Sequence, residues 1–248
     1  MKHHFPFGFL LAVAFSTLFF QCKEEEDNLI TGQSIAFYAG TAESYLQKDE
    51  AGAPLEAGVS LDKATFDGLA TQHDLSVSLD LPVEAESLTG LKHVMFDWAQ
   101  HGHEPAKVYD KPHFDVHFYY LTQAARTAIG PFDTLKSAKV PDAKYYPTGY
   151  IPTGHVPFMG NHWVNTGGHE FTPQGFDATF IYGSYDGVQT FLEPMVTKKF
   201  IEDKGGNFET DVPQPATYAR TGLYFPTRYG VRLRDGHYFF YMTGFQKK

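Results

Sequence analysis

Leu75, Val77, Leu79 and Leu81 alternate with Ser76, Ser78 and Asp80, so this segment has one dry face and one wet face. A period of two predicts a half-buried β-strand. The same reading predicts strands over 34–40, 56–61, 93–98, 178–182, 188–193, 224–233 and 238–244. Tyr185-Asp186-Gly187 and Asp235-Gly236 carry hairpin-turn chemistry. Short helices are expected over 121–129, where Gly130-Pro131 ends the pattern, and over 197–203. Residues 131–176 are rich in Gly, Pro and aromatic residues with little periodicity, which predicts a long functional loop packed over the sheet. Neither an internal repeat nor a linker interrupts the pattern. The expectation is an all-β chain: a single antiparallel β-barrel-like or sandwich domain over 34–248, with one or two short helices.

Segment 112–120, Pro-His-Phe-Asp-Val-His-Phe-Tyr-Tyr, changes this picture. As a strand it puts Phe114, Val116, Phe118 and Tyr120 on one face and His113, Asp115, His117 and Tyr119 on the other. The second face can bind a metal, move a proton or hold a polar ligand. Eight of the 12 histidines fall between His93 and His169, together with Asp97, Glu104, Asp115 and Glu170. His, Asp and Glu in combination are the ligands of divalent metals.

Spacing limits the options. Residues two apart on a strand are roughly 7 Å apart and residues four apart roughly 13 Å. His113 and His117 are then poorly placed to share one ion, whereas Asp115 with either flanking histidine is an easier pair. A helical segment would instead bring His113 and His117 one turn apart; the run of Phe, Val and Tyr favours the strand. Such a site needs ligands from elsewhere, and His103, His162 and Glu193 are the candidates. Glu193 follows Phe191-Leu192 on an apolar strand, where an acid calls for a partner. Two other readings remain open: a polar ligand pocket without metal, and a buried structural network of His–Asp pairs.

Composition and targeting narrow the partners. Lys2 followed by an uncharged apolar run over 8–20 and then Cys22, the only cysteine, reads as a signal peptide over 1–21 with a lipid-modified Cys22. An acidic tether over 22–33, beginning Lys-Glu-Glu-Glu-Asp at 23–27, follows. Loss of the signal moves the formal charge from −9 to −10, which disfavours nucleic acid as a partner. A lone cysteine allows no internal disulfide, so the core alone must hold the domain. Gly-x-Ser-x-Gly, His-Glu-x-x-His and phosphate-binding glycine-loop motifs are all absent from the sequence.

Several words recur in a fixed order: Gly102–Pro105, Pro112–Tyr119, Val156–Trp163, Ile181–Gly187 and Glu193–Met195. Over roughly residues 90–200 this order resembles a family of secreted or lipid-anchored bacterial proteins marked by a Pro-His-Phe-Asp-x-His-Phe-Tyr motif, a domain of unknown function. The resemblance implies no particular reaction. It does imply that His103, Glu104, His113, Asp115, His117, His162 and Glu193 converge on one site.

The resulting expectation is a lipoprotein of the cell envelope, at the outer membrane or cell surface, anchored to the membrane through Cys22. His103, His113, Asp115, His117, His162 and Glu193 are expected to bind a divalent metal, with zinc the expected ion. Glu104, Tyr119 and Trp163 are expected to contact a small-molecule ligand or substrate. Metal-dependent hydrolysis is one function open to such a site. A non-enzymatic binding protein, or an envelope protein with structural histidines, is the alternative.

Overall fold

The computed structural model describes residue 1 and residues 28–248. Residues 2–21 of the expected signal segment and residues 22–27 of the expected tether, Cys22 among them, lie outside the described residues. The chain forms β1 (Leu29–Phe37), β2 (Gly40–Lys48), β3 (Pro54–Asp62), α1 (Lys63–Gly68), β4 (Leu75–Asp80), α2 (Val83–Thr89), β5 (His93–Ala99), β6 (His113–Tyr119), α3 (Gln123–Thr127), α4 (Thr134–Ser137), β7 (Tyr150–Val156), β8 (Gly160–Asn165), β9 (Ala178–Tyr185), β10 (Val188–Thr197), α5 (Lys198–Asp203), β11 (Asn207–Asp211), β12 (Tyr224–Phe225), β13 (Arg228–Arg234), β14 (His237–Thr243) and β15 (Gln246–Lys247).

The strands make two antiparallel sheets. One has the order β1-β2-β3-β14-β13-β11, the other β4-β5-β6-β10-β9-β8-β7, and β12 pairs only with β15. Of the two architectures expected, the sandwich is the one found. The sheets meet at one corner, but no ladder closes it. There the side chains of β1 and β2 reach the backbone of β4: Gln33 Oε1 accepts from Asp80 N at 2.8 Å, and Ser44 Oγ donates to Asp80 O at 2.6 Å.

Aromatic rings fill the space between the sheets. Phe114 of β6 lies 4.6 Å from Phe240 of β14, 5.4 Å from Phe96 and 5.0 Å from Trp98. All four side chains are essentially inaccessible to water. Alternation supplies this layer, because every second residue of β5, β6 and β14 points inward.

Three expectations need correction. β1 starts at Leu29, so the last residues assigned to the tether are strand. Residues 131–176 are not one long loop. They contain the β7–β8 hairpin, which extends the second sheet. Its strands are short and carry Pro152, Gly154 and Gly160, which hid the period of two. Finally, β10 does not stop at Glu193 but continues through Pro194 to Thr197. β2, β11, β15 and the short helices α1, α2 and α4 had not been anticipated, the strand expected over 224–233 is split into β12 and β13, and α3 and α5 fall where helices were expected.

β6 sits between β5 and β10, near the middle of its sheet, and is buried along its whole length. Its inward face belongs to the sandwich core. Its outward face is also covered, by β7–β8 and by loops on either side of β6. A second, smaller apolar cluster forms there around Met95, Tyr109, Tyr119, Phe176, Phe191 and Met195.

The sandwich predicts an asymmetry between adjacent residues of β14. Phe240→Ala removes a ring from the inter-sheet core and is expected to cost about 3–5 kcal/mol. Phe239→Ala, on the opposite and half-buried face, is expected to cost less than half of that. Urea unfolding of the two variants checks this; equal losses would contradict the layer assignment.

Candidate metal centre

Strand register builds the site from three neighbouring strands. Met95 pairs with His117, Asp97 with Asp115 and Ala99 with His113 across β5–β6. On the other side of β6, Leu192 pairs with Phe118 and Met195 with Asp115. The β6–β10 ladder lapses between those pairs, at Glu193-Pro194, where proline has no N–H to donate. Asp97, Asp115, His117 and Glu193 therefore project from one face of adjacent strands. Asp97 and Asp115 stand directly opposite, an arrangement that is destabilising for two like charges unless something positive lies between them.

The six expected metal ligands fall into two groups. His103, His113 and Asp115 form one; His117, His162 and Glu193 form the other. Within each, one donor atom from every residue lies within 4.8 Å of the others, and either group could hold a metal ion. The expectation that His113 and His117 would not share an ion agrees with this division. The expectation of a single converging site does not: residues four apart on a strand are roughly 13 Å apart, so His113 and His117 fall to different groups.

In the first group, His113 Nε2 lies 3.0 Å from Asp115 Oδ1, and His103 Nε2 lies 3.3 Å from Asp115 Oδ2. The other nitrogen of each ring is committed. His113 Nδ1 donates to the Lys111 carbonyl at 2.6 Å and His103 Nδ1 to the Glu104 carbonyl at 2.8 Å. Carbonyls only accept, so Nδ1 carries the proton and a neutral ring offers a lone pair at Nε2. Each lone pair then faces a carboxylate oxygen. Two acceptors at this distance need a proton or a cation between them. Backbone carbonyls on the far nitrogen are also what fixes a metal-ligating histidine.

Gly102 allows His103 to reach this place. Its φ is +69°, and a Cβ there would come 2.0 Å from the Tyr109 carbonyl, which accepts from His103 N at 2.9 Å. The loop thus folds back tightly and sets the His103 ring 4.8 Å from the His113 ring.

In the second group, His117 lies between two acids. Nε2 is 3.1 Å from Glu193 Oε1, and Nδ1 is 3.2 Å from Asp97 Oδ2. His162 Nε2 is 3.6 Å from Glu193 Oε2. Asp97 stands where the outer carboxylate of a carboxylate–histidine–metal arrangement would stand if His117 held an ion. It stood among the acids near the histidines, but nothing in its own segment singled it out; its register opposite Asp115 is visible only once β5 and β6 pair. Phe191 wedges the two imidazoles, 5.2 Å from His117 and 4.8 Å from His162. Its ring passes over Gly183, where a Cβ would meet it at 2.0 Å.

Several of these contacts leave buried atoms without a hydrogen bond of good geometry. His113 Nε2, Asp115 Oδ1, both ring nitrogens of His117, Asp97 Oδ2 and Glu193 Oε2 are buried without a hydrogen-bond partner. Buried polar atoms are seldom left so. Donors held roughly 2.0–2.2 Å from one tetrahedral ion are separated by roughly 3.3 Å, so the 3.0–3.6 Å spacings fit the edges of such a polyhedron.

Both groups border a cavity of about 710 Å³, on which His103, Asp115, His117, His162 and Glu193 open. His113 is behind them, fully buried. Glu104 lies at the cavity edge, its carboxylate accepting from Ala106 N at 2.7 Å. Tyr119 does not reach the cavity: its ring is fully buried, 4.8 Å from His93 and 5.8 Å from His117. Trp163 faces away altogether. It follows His162 on β8, so alternation turns it into the inter-sheet core, where it stacks on Tyr146 at 3.8 Å and donates to Ser184 Oγ at 2.8 Å. The sequence missed Tyr109, whose buried hydroxyl is unpaired and borders the cavity.

The chain matches no protein-family model, no curated protein and no solved structure with which it was compared.

The charge balance of the bare site is set by burial against the carboxylates. Burial alone would depress His103, but Asp115 pushes it up to about 9. Burial likewise opposes protonation of His117, and Glu193 and Asp97 outweigh it, raising that imidazole to about 10. His113 is raised by Asp115 against the same opposition, while burial pushes Asp115 up and His113 and His103 together outweigh it and hold it low. Burial pushes Glu193 up against the pull of His117. His162 is depressed to about 3 by burial and then by the charge of His117, and His93 to about 4 chiefly by burial.

These shifts predict a stability profile for metal-free protein with two limbs. His103 and His117, raised on folding, stabilise fully below their unfolded value of about 6.5, and that contribution is lost as pH rises through about 9 and 10. His93 and His162, depressed on folding, cost stability as pH falls from about 6.5 toward 4 and 3. Melting temperature in chelator should therefore peak near pH 6.5 and fall on both sides; a flat profile from pH 5 to 9 would contradict the charge assignment.

The Phe191 wedge gives a separate test. Gly183→Ala must displace that ring and is expected to destabilise by about 1–3 kcal/mol. It should also weaken metal retention, because both imidazoles of the second group lean on Phe191. Undiminished retention would contradict that positioning role.

Proposed function

We propose that this protein is a metal-binding lipoprotein of the bacterial cell envelope, held at the outer membrane or cell surface through Cys22. Each of its two His₂-carboxylate groups takes one divalent ion, zinc foremost, and the cavity beside them admits a small molecule for metal-assisted hydrolysis. The observation that carries this reading is the set of nitrogen and oxygen donors, most of them buried, that face one another at 3.0–3.6 Å while many of their atoms lack hydrogen-bond partners. The resemblance to lipid-anchored proteins bearing the Pro-His-Phe-Asp-x-His-Phe-Tyr motif supports the location.

Two histidines and one carboxylate leave a position free for water or substrate, as catalytic zinc sites do. Zinc held there would polarise a carbonyl and lower the pKa of a water. The chain's own groups supply the rest. Asp97 orients His117. Carbonyls of Lys111 and Glu104 orient His113 and His103. Burial pushes the Tyr109 phenol upward, so it keeps its proton and can donate a hydrogen bond to an oxygen in the cavity. Glu193 and Asp115 each offset part of the added charge. The same donor set also suits non-haem Fe(II), and metal analysis separates the two ions.

A second reading, a binding lipoprotein without catalysis, is favoured by the apolar cavity walls. It keeps the same metal-binding floor and differs only in turnover.

Elemental analysis of untagged protein tests the proposal. Two equivalents of metal per chain are expected. The near-isosteric variants Glu193→Gln and Asp115→Asn should each fall to one equivalent. Asp97→Asn should retain both but bind the second ion about 10–100-fold more weakly. Folded protein that retains no zinc or iron after dialysis against either ion would overturn it.

A further inference from the structure

The cavity's walls differ in kind from its floor. Asp97, Asp115 and Glu193 make the floor acidic, while Ile151, Val156, Met159, Val164 and Phe171 make the walls apolar. Ile151 and Phe171 remain 50% and 43% exposed. Large apolar side chains gathered around a concave site mark where a ligand loses contact with water.

Polar capacity on the walls is small and partly spent. Thr153 donates to the His162 carbonyl at 3.0 Å and Thr166 to the Gly149 carbonyl at 3.1 Å. Among the described residues, no lysine or arginine lines the cavity. A sugar buried here would leave hydroxyls unpaired. A phosphate could reach the metal floor, but its remaining oxygens would find no guanidinium or ammonium on the walls. An apolar body finds walls that match it, and the metal-binding floor accepts one oxygen-donor group.

We infer that the ligand of this cavity is a largely apolar small molecule, neutral or singly charged, with one metal-binding oxygen group and no phosphate. A volume of about 710 Å³ is ample for a ring system or a medium acyl chain. The inference rests on the metal reading of the floor and adds to it the class of molecule bound.

The test is calorimetric titration of zinc-loaded, full-length protein with three probes: 2-naphthohydroxamic acid, acetohydroxamic acid and phenyl phosphate. The two hydroxamates share a metal-binding head and differ in apolar body. The naphthyl compound is expected to bind at least tenfold more tightly than acetohydroxamate, and phenyl phosphate no more tightly than acetohydroxamate. The double variant Ile151→Ser, Phe171→Ser changes only half-exposed wall positions. It should lower naphthohydroxamate affinity at least fivefold while zinc retention and acetohydroxamate affinity stay unchanged. If zinc is retained but the hydroxamates bind equally, or phenyl phosphate binds tightest, the apolar-ligand inference is wrong and the metal reading stands. An undiminished naphthyl preference in the double variant also overturns it. Failure to retain zinc overturns both.

Discussion

Three carboxylates and three imidazoles share one covered face of a sheet, a fourth imidazole, His103, reaches them from an exposed loop, and their mutual charge balance governs the structure around them. Taking an ion out of water costs several kcal/mol even after the protein relaxes. Asp115 and Glu193 are only 5% and 2% exposed, and Asp97 stands directly across from Asp115. Such a group is stable only when positive charge is interleaved with negative. Protons on the imidazoles can do this, and so can metal ions. The lone pairs that His103 and His113 direct at Asp115 make the same demand at closer range.

The fold meets that demand by covering both faces of one strand. β6 gives its phenylalanines to the sandwich core and its polar residues to the other side, where the β7–β8 hairpin and the flanking loops close over them. Small local departures from ideal structure then set the geometry. Gly102 lets a loop turn back over His113. Gly183 makes room for the ring that wedges His117 and His162. Pro194 opens the ladder beside Glu193. Each is a position where ordinary strand or loop chemistry yields to the placement of a polar group.

Much of this was legible in the sequence because it depends on alternation. The two faces of 113–119 and the separation of His113 from His117 follow from a period of two, whereas His103, His162 and Glu193 were candidates by residue type. What alternation alone could not show was which strands lie side by side. Asp97 joins the site through cross-strand register, and two groups form instead of one because the donors from β8, β10 and the 100–110 loop arrive at different heights along β6. Trp163 was misplaced for a simpler reason. Its neighbour His162 faces the site, and adjacent strand residues cannot share a face. The β7–β8 hairpin escaped notice because its Pro and Gly residues read as loop, although its aromatic content already pointed to packing against the sheet.

Whether cations or protons balance the buried carboxylates is the central question, and anomalous diffraction from crystals grown with zinc and measured on both sides of its absorption edge answers it directly. The account predicts two anomalous peaks, one within about 2.0–2.2 Å of donors from His103, His113 and Asp115, the other at the same distance from His117, His162 and Glu193. A well-ordered site with no anomalous density, and with the histidines rotated into direct hydrogen bonds to Asp115, Asp97 and Glu193, would contradict it.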